Sequence, residues 1–245
     1  MERKIKSPAY IAQHIRRVLK DGGSAPHAEE VQRFFKEEVK SRGWYTAELR
    51  KVAARFRRAL VNEHGVDYVV AVADHLFRGD VLEEKVFAIF LLEKNTADFT
   101  DDHFRLFSSW LDRVSSWADH DALASYVLGP MIALHDRLTP RVYLWAKSEN
   151  AWRRRAAAVS LIRGIRAVER RNTLARDVEE IAAILLDDKN DMVQKGLGWL
   201  LREMAKADPK LAMPLLMKIR DRAPRLVLRT ACEKLGAPDK RRVLG

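Results

Sequence analysis

The chain has 245 residues and a formal net charge of +11, from 45 Lys and Arg against 34 Asp and Glu. One cysteine, Cys232, excludes an internal disulfide and a cysteine-rich zinc site, and fits a reducing compartment. The longest uninterrupted apolar run, Val86–Leu92, is too short to cross a bilayer, and the first residues lack the apolar run of a signal peptide. We therefore expect a soluble, cytoplasmic protein associated with the nucleoid.

The first half of the sequence predicts one helix after another, separated by glycine-containing breaks. Thr46 is interpreted as an N-cap, and residues 1–24 as an N-terminal helix and linker that are loosely attached. The predicted helices are Pro8–Lys20, His27–Arg42, a helix from Thr46 to Gly65, a segment through Val69, Val72 and Leu76, Glu83–Lys94, Thr100–Val114, and a helix that bears Trp117 and Asp121.

The second half continues in the same way. Asn150 and Asp208 are predicted N-caps, Asp191 is a candidate for a third, and Pro209 fits the first position of a helix. The predicted helices are a short segment from Pro140 through Trp145, Trp152–Val168, Leu174–Leu186, Met192–Ala207, Lys210–Arg220 and, as the last, Pro224–Leu235.

No stretch shows the alternation of a β-strand, so the fold is predicted to be all-α. Antiparallel helix pairs at intervals of roughly 40 residues are typical of HEAT-like repeats, and predict a curved solenoid that forms one domain over residues 1–245. Equivalent positions of successive repeats line one concave face. Asp121, Arg155 and Trp199 recur at similar spacing, so we expect them to meet in one groove.

Basic residues are concentrated in two segments of the second half. Residues 137–171 hold ten Lys and Arg against two Glu, and residues 210–242 hold ten against three acidic residues. Such a surplus indicates a polyanionic partner, most simply a nucleic acid. A solvated helical surface is the alternative for either segment alone.

The stretch Trp117-Ala-Asp-His-Asp121 places a ring and a carboxylate on one helix face, one turn apart. The face continues through Ala124, Ser125 and Leu128. A carboxylate at the border of an apolar stripe acts more strongly than one in water. The alternative is a core tryptophan followed by an acidic residue that favours the helix N-terminus.

Two later stretches are also candidates. Arg153, Arg154 and Arg155 stand at a helix start, where cations oppose the helix dipole unless an anion compensates. Lys195 and Trp199 lie one turn apart, with Gly196 and Gly198 between them. Glycines inside a helix permit close approach by a neighbouring helix or a ligand. The alternatives are a solvated basic face and a tryptophan used in helix packing.

These stretches resemble the AlkD-type DNA alkylation-repair glycosylases, which are built from HEAT-like repeats. The resemblance covers about Glu29 to Leu235. It implies that Asp121 is the catalytic carboxylate beside Trp117, that Arg155 contacts the backbone of the lesion strand, and that Trp199 is the second aromatic wall. Phe34 falls where the family often has a tyrosine that reaches the DNA, and His120 where many relatives carry an apolar residue.

The resemblance implies excision of positively charged N3- or N7-alkylated purines from double-stranded DNA by a monomer without a cofactor or metal. Asp121 would stabilise the cationic sugar and position water. The predicted DNA-binding residues are Phe34, Arg153, Arg154, Lys195, Arg225 and Arg229. Two alternatives remain: a non-catalytic HEAT-repeat protein that binds branched or damaged DNA, and a solenoid that binds acidic proteins.

Overall fold

The computed structural model describes residues 6–245, and they form an all-helical structure in which no strand occurs. The all-α prediction is confirmed. The chain divides into two compact units, the first ending at Val127 and the second beginning at Leu128. One solenoid or two domains would both fit this division, so the single domain stays a prediction. Within the described part of the chain, no helix has the length and apolar character needed to cross a bilayer.

The first unit contains seven α-helices in its described residues. They are α1 (Pro8–Asp21), α2 (Ala25–Gln32), α3 (Thr46–His64), α4 (Val66–Phe77), α5 (Leu82–Leu92), α6 (Asp101–Trp110) and α7 (Trp117–Leu123). Helix α5 is central to the packing, because it contacts α3, α4 and α7. Its side chains from Phe87 to Leu92 are all buried.

Helix α1 belongs to this packed unit. Ser7 caps its start, and Ala12, Ile15 and Leu19 are fully buried where the helix packs against α4. Arg16 adds an ion pair with Glu84 at 2.9 Å. Helix α1 is therefore packed like the rest of the unit and is not loosely attached, contrary to the expectation for residues 1–24; residues 1–5 lie outside the described part of the chain.

The predicted helix His27–Arg42 is wrong beyond Gln32. The Gln32 side chain bonds to the backbone of Glu37 and Val39, which holds the chain in a turn. The buried Glu83 carboxylate then accepts hydrogen bonds from the backbone nitrogens of residues 42–44. A carboxylate about 40 residues away in sequence therefore fixes the backbone at the point where the predicted helix would have ended.

The second unit begins at Leu128, the last residue of a π-helical turn, Ala124–Leu128, that follows α7. Its α-helices are α8 (Gly129–Leu134), α9 (Thr139–Ala146), α10 (Ala151–Val159), α11 (Ile162–Arg166), α12 (Val168–Leu185), α13 (Asp191–Ala207), α14 (Pro209–Ile219), α15 (Arg225–Ala231) and α16 (Ala237–Leu244). Helix α13 is central here, because it contacts α10, α11, α14 and α15.

Three boundaries in this unit differ from the predictions. The single helix Trp152–Val168 is two helices, because the chain turns at residues 160–161 so that α10 packs on α9 while α11 packs on α8. Helix α12 consequently starts at Val168, not Leu174. Pro224–Leu235 is not the last helix, since α16 follows it.

Two of the four predicted N-caps are confirmed and two are wrong. Asn150 caps α10 and Asp208 caps α14 through side-chain hydrogen bonds, as predicted. Asn190, rather than Asp191, caps α13. Thr46 is the first residue of α3 and not its cap, which is Tyr45 and makes no side-chain bond.

Candidate functional site

The start of α7 is fixed by a buried carboxylate. Asp119 is fully buried, and its two oxygens accept hydrogen bonds from the backbone nitrogens of Ser116 (2.8 Å) and Ser115 (3.0 Å). The ammonium of Lys85 lies 3.4 Å from Asp119 Oδ2 and also bonds to the carbonyl of Arg113 and the hydroxyl of Ser115. A buried charge is tolerable only when it is paired and hydrogen-bonded, as this one is. The helix that carries Trp117 and Asp121 therefore begins at a rigid point.

Trp117, the first residue of α7, is stacked against Phe35. The ring centroids are 5.1 Å apart and the planes are inclined by 19°. Aromatic pairs in such an arrangement contribute about 0.5–1.5 kcal/mol beyond the area they bury. Phe35 stands in the turn after α2, so one face of the tryptophan is occupied by a residue remote in sequence. Sequence analysis missed this contact, because it assigned Phe35 to a helix.

Asp121 lies one turn beyond Trp117 on the same helix, as predicted. Its side chain is 19% exposed, whereas His120 beside it is fully buried. Asp121 Oδ1 lies 2.6 Å from His120 Nδ1. An ionised carboxylate can only accept a hydrogen bond, so Nδ1 is the donor. Asp121 is thus a part-exposed carboxylate that is hydrogen-bonded to a fully buried imidazole.

Arg155, on α10 in the second unit, is 5% exposed. Its guanidinium bonds to the carbonyl of Met192 in the first turn of α13. A Cβ atom at Gly196 would lie only 3.0 Å from Arg155 Cγ. Gly196 is therefore the residue that lets the arginine lie against α13. The sequence left two explanations for the glycine pair, close approach by a neighbouring helix or by a ligand. The contact between Gly196 and Arg155 of α10 agrees with the first.

The other two arginines of α10 are also part of the structure. Arg154 forms an ion pair with Asp188 at 2.6 Å and donates to the carbonyls of Ser148 and Glu149. Arg153 is half-buried, and like Arg155 it has an interaction within the protein. The charge of Arg154 is largely compensated in place, so its predicted phosphate contact would have to compete with Asp188.

Trp199 is half-buried on α13, and its indole nitrogen lies 3.3 Å from Glu203 Oε1. Glu203 is buried and is paired with Arg166 at 3.0 Å and Arg202 at 3.2 Å. Burial raises the pKa of the Glu203 carboxyl, but hydrogen bonds and charges from the two arginines outweigh burial, so the pKa is lowered. The acid is therefore ionised at neutral pH and holds the tryptophan side chain. Sequence analysis did not identify Glu203.

The remaining predicted DNA-binding residues are all exposed. Lys195 lies one turn before Trp199, and Arg225 and Arg229 lie one turn apart on α15. Arg225 bonds to the carbonyl of Leu244. Phe34 is 75% exposed in the turn after α2.

The structure brings together Trp117 with Asp121 in the first unit, and Arg155 with the helix of Trp199 in the second. Whether these two groups share a groove stays a prediction. Within residues 6–245 no cluster of three His, Cys, Asp or Glu side chains is arranged to hold a metal ion.

A strongly basic second half is typical of proteins that bind nucleic acids, and a part-exposed acid beside a tryptophan is a candidate catalytic group. The comparison with protein families narrows this class. Residues 15–235 match the family described as DNA alkylation repair enzyme. The chain therefore belongs to the DNA alkylation repair enzyme family. No curated protein sequence matches it.

Three solved structures have a similar fold. A predicted DNA alkylation repair enzyme from Enterococcus faecalis is 18% identical, with a TM-score of 0.77 over 88% of this chain and 97% of that one. AlkD2 from Streptococcus mutans is 20% identical, with a TM-score of 0.63 over 92% and 99%. The smu.31 protein from Streptococcus mutans UA159 is 20% identical, with a TM-score of 0.56 over 77% and 100%. At this identity the likeness shows a shared fold and nothing more specific.

Proposed function

We propose that the protein is a DNA glycosylase of base excision repair that hydrolyses the N-glycosidic bond of positively charged N3- or N7-alkylated purines in duplex DNA. The observation that carries the proposal is the part-exposed Asp121 carboxylate, oriented from beneath by His120 and placed one turn from Trp117. Membership of the DNA alkylation repair enzyme family supports DNA as the substrate class.

One carboxylate is sufficient for this reaction. Ordinary glycosidic bonds usually need a second carboxyl group, which protonates the leaving group. A purine alkylated at N3 or N7 already carries a positive charge and leaves as a neutral base. The protein must then only stabilise the cationic sugar and place a water molecule, and a preorganised carboxylate can serve both purposes. Ring faces of Trp117 and Trp199 would add cation–π attraction.

Asp121 is the better candidate of the two acids on α7. Asp119 is fully buried and is saturated by the two serine residues and Lys85. It fixes the helix start and has no exposure through which to reach a sugar. Asp121 retains partial exposure. The proposal thus gives the two acids different roles according to their burial.

DNA affinity would come from the second unit. Residues 128–245 hold 25 Lys and Arg against 14 Asp and Glu. Lys195 and Arg229 are exposed, and no acidic side chain pairs with either in the described part of the chain. For Arg155 the geometry supports a packing role more directly, because its guanidinium is buried on Met192. Its contact with the lesion strand stays a prediction.

The deciding experiment is single-turnover release of 7-methylguanine from methylated duplex DNA, with binding measured in parallel. Asp121→Asn keeps the size of the side chain and removes its charge, so we expect the rate to fall about 10²–10³-fold, as for loss of one preorganised electrostatic contact. Affinity should stay equal or rise, because a carboxylate near phosphates repels them.

Asp102→Asn is the matched control, since Asp102 is an exposed acid in the first turn of α6 that pairs with Arg105. It should excise like the wild type. Equal rates for Asp121→Asn and wild type would refute the role of Asp121. Tight binding of the wild-type protein without any base release would instead favour a non-catalytic DNA-binding protein.

A further inference from the structure

We propose that His120 is a positioning residue that holds the Asp121 carboxylate in its catalytic orientation. The inference rests on the proposed function and adds a residue to that site. It begins with a contrast in burial between sequence neighbours. His120 is fully buried, whereas Asp121 is 19% exposed, and the two are joined by a 2.6 Å contact between Nδ1 and Oδ1. The hydrogen bond thus crosses from the packed interior to the accessible carboxylate.

The imidazole is itself held firmly. The flanking residues Asp119, Ala122 and Leu123 are all buried, so the side of α7 that carries the histidine is packed. The backbone before it is fixed by Asp119, which bonds to Ser116 and pairs with Lys85. A donor on such a support has little freedom to follow a moving carboxylate. The carboxylate must therefore adopt the orientation that the donor sets.

Packing alone does not explain a histidine at this position. A buried polar side chain costs stability unless its hydrogen bonds are made, and an apolar residue of similar size would fill the space without that cost. In this chain the polar ring is directed at the one acid to which we assign the chemistry.

Orientation matters for the reaction proposed. Electrostatic stabilisation is strongest when the charged group is held in place before the positive charge develops, because no reorganisation is then required. Displacements of a catalytic group that are much shorter than a hydrogen bond already lower the reaction rate. A carboxylate bonded at Oδ1 to a rigid donor loses most of its rotation about the bond to Cβ. His120 would thereby raise the rate of excision without touching the DNA.

The test uses single-turnover excision of 7-methylguanine by the full chain with substitutions at position 120. His120→Leu removes the donor and supplies an apolar side chain of similar size. We expect its rate to fall about 10- to 100-fold, as for loss of a hydrogen bond to a charged group, with DNA affinity unchanged. His120→Asn places an amide N–H near the position of Nδ1 and should recover most of the lost rate. In an Asp121→Asn background, His120→Leu should cause no further loss.

Several outcomes would overturn the inference while leaving the proposed function intact. These are a wild-type rate for His120→Leu, an Asn variant no better than the Leu variant, or the same loss with and without the Asp121 charge. Release of no base by the wild-type protein would instead refute the proposed function. A measurement independent of activity is ¹⁵N NMR of labelled histidine, which should show the His120 proton on Nδ1. A proton on Nε2 alone would refute the hydrogen bond directly.

Discussion

The two compact units differ in charge. Residues 1–127 hold 20 Lys and Arg against 20 Asp and Glu, and are formally neutral, whereas residues 128–245 carry the whole surplus of +11. The candidate acid, Asp121, lies in the neutral unit, and the exposed candidate phosphate contacts, Lys195 and Arg229, lie in the basic one. Chemistry and DNA affinity are therefore assigned to different parts of the chain and should respond to different mutations.

The units also differ in what their interiors contain. The first unit buries Asp74, Glu83, Glu84, Lys85 and Asp119, each with a charged or polar partner. The second unit buries fewer charged residues, Arg155 and Glu203, and relies more on close helix contact, in which Gly196 and Gly198 of α13 admit α10 and α15. A buried charged group and its partner fix each other's orientation, because their hydrogen bonds require one relative geometry. Small residues instead reduce the distance between helices.

The largest expected effect is on the buried charges. Lys85→Met removes the ammonium beside Asp119 and leaves an uncompensated carboxylate, which typically costs about 3–5 kcal/mol of stability. Urea-induced unfolding should detect this loss. Lys94→Met is the control, because Lys94 is exposed just beyond α5 and should change stability by no more than about 0.5 kcal/mol. Similar stabilities for both variants would show that the buried charges of the first unit contribute no more to stability than an exposed one.

A smaller effect is expected at the helix contact of the second unit. A Cβ at Gly198 would lie 2.8 Å from Thr230 Cβ and 3.1 Å from the Val227 carbonyl, neither of which is the end of a flexible chain. Overpacking of this kind costs about 1–3 kcal/mol, while alanine gains about 1 kcal/mol in helix propensity, so Gly198→Ala should lose roughly 1 kcal/mol net.

Gly196→Ala is the paired variant for that measurement, on the same helix with the same gain in propensity. Its methyl group would meet the Arg155 side chain at 3.0 Å, and a side chain can move more easily than a backbone. Thermal unfolding should rank Gly196→Ala as the more stable of the two. The reverse order would mean that the Arg155 contact is more rigid than the contact between α13 and α15.

The smallest effects concern DNA affinity. Neutralising one phosphate contact should lower the slope of log K against log salt by about 1, so Lys195→Gln and Arg229→Gln should each do so. Lys51→Gln removes an exposed cation from α3 of the neutral unit and should leave the slope unchanged. Titrations of duplex DNA at several salt concentrations measure all three. A reduced slope for Lys51→Gln would show that the neutral first unit also contacts DNA phosphates.

Several features could be predicted from the sequence because they depend on short-range contacts along the chain, although the predicted caps Thr46 and Asp191 were each one residue off. Asn150 and Asp208 cap α10 and α14 because the bonds they make reach only two or three residues along the chain. The placement of Trp117 and Asp121 one turn apart follows from helical spacing alone. The all-α fold was predictable for the same reason, since apolar residues at helical spacing recur along the whole chain.

Other features were decided only by contacts between residues distant in sequence. The segment after Gln32 has apolar residues at helical spacing, yet the Gln32 side chain bonds to the backbone of Glu37 and Val39 in a turn, and Phe35 stacks on Trp117. The turn at residues 160–161 contains neither glycine nor proline, and arises because α10 and α11 pack on different neighbours.

By itself the sequence determined the helical class, two of the four predicted caps and the uneven charge, and it supplied the candidate residues for the chemistry. The tertiary structure decided the burial and the partners of those residues. It buries Asp119 and leaves Asp121 part exposed, places His120 Nδ1 against Asp121 Oδ1, and packs Arg155 against Gly196. Spacing along a helix gives the direction of a side chain, but its burial and partners depend on which other helices pack there.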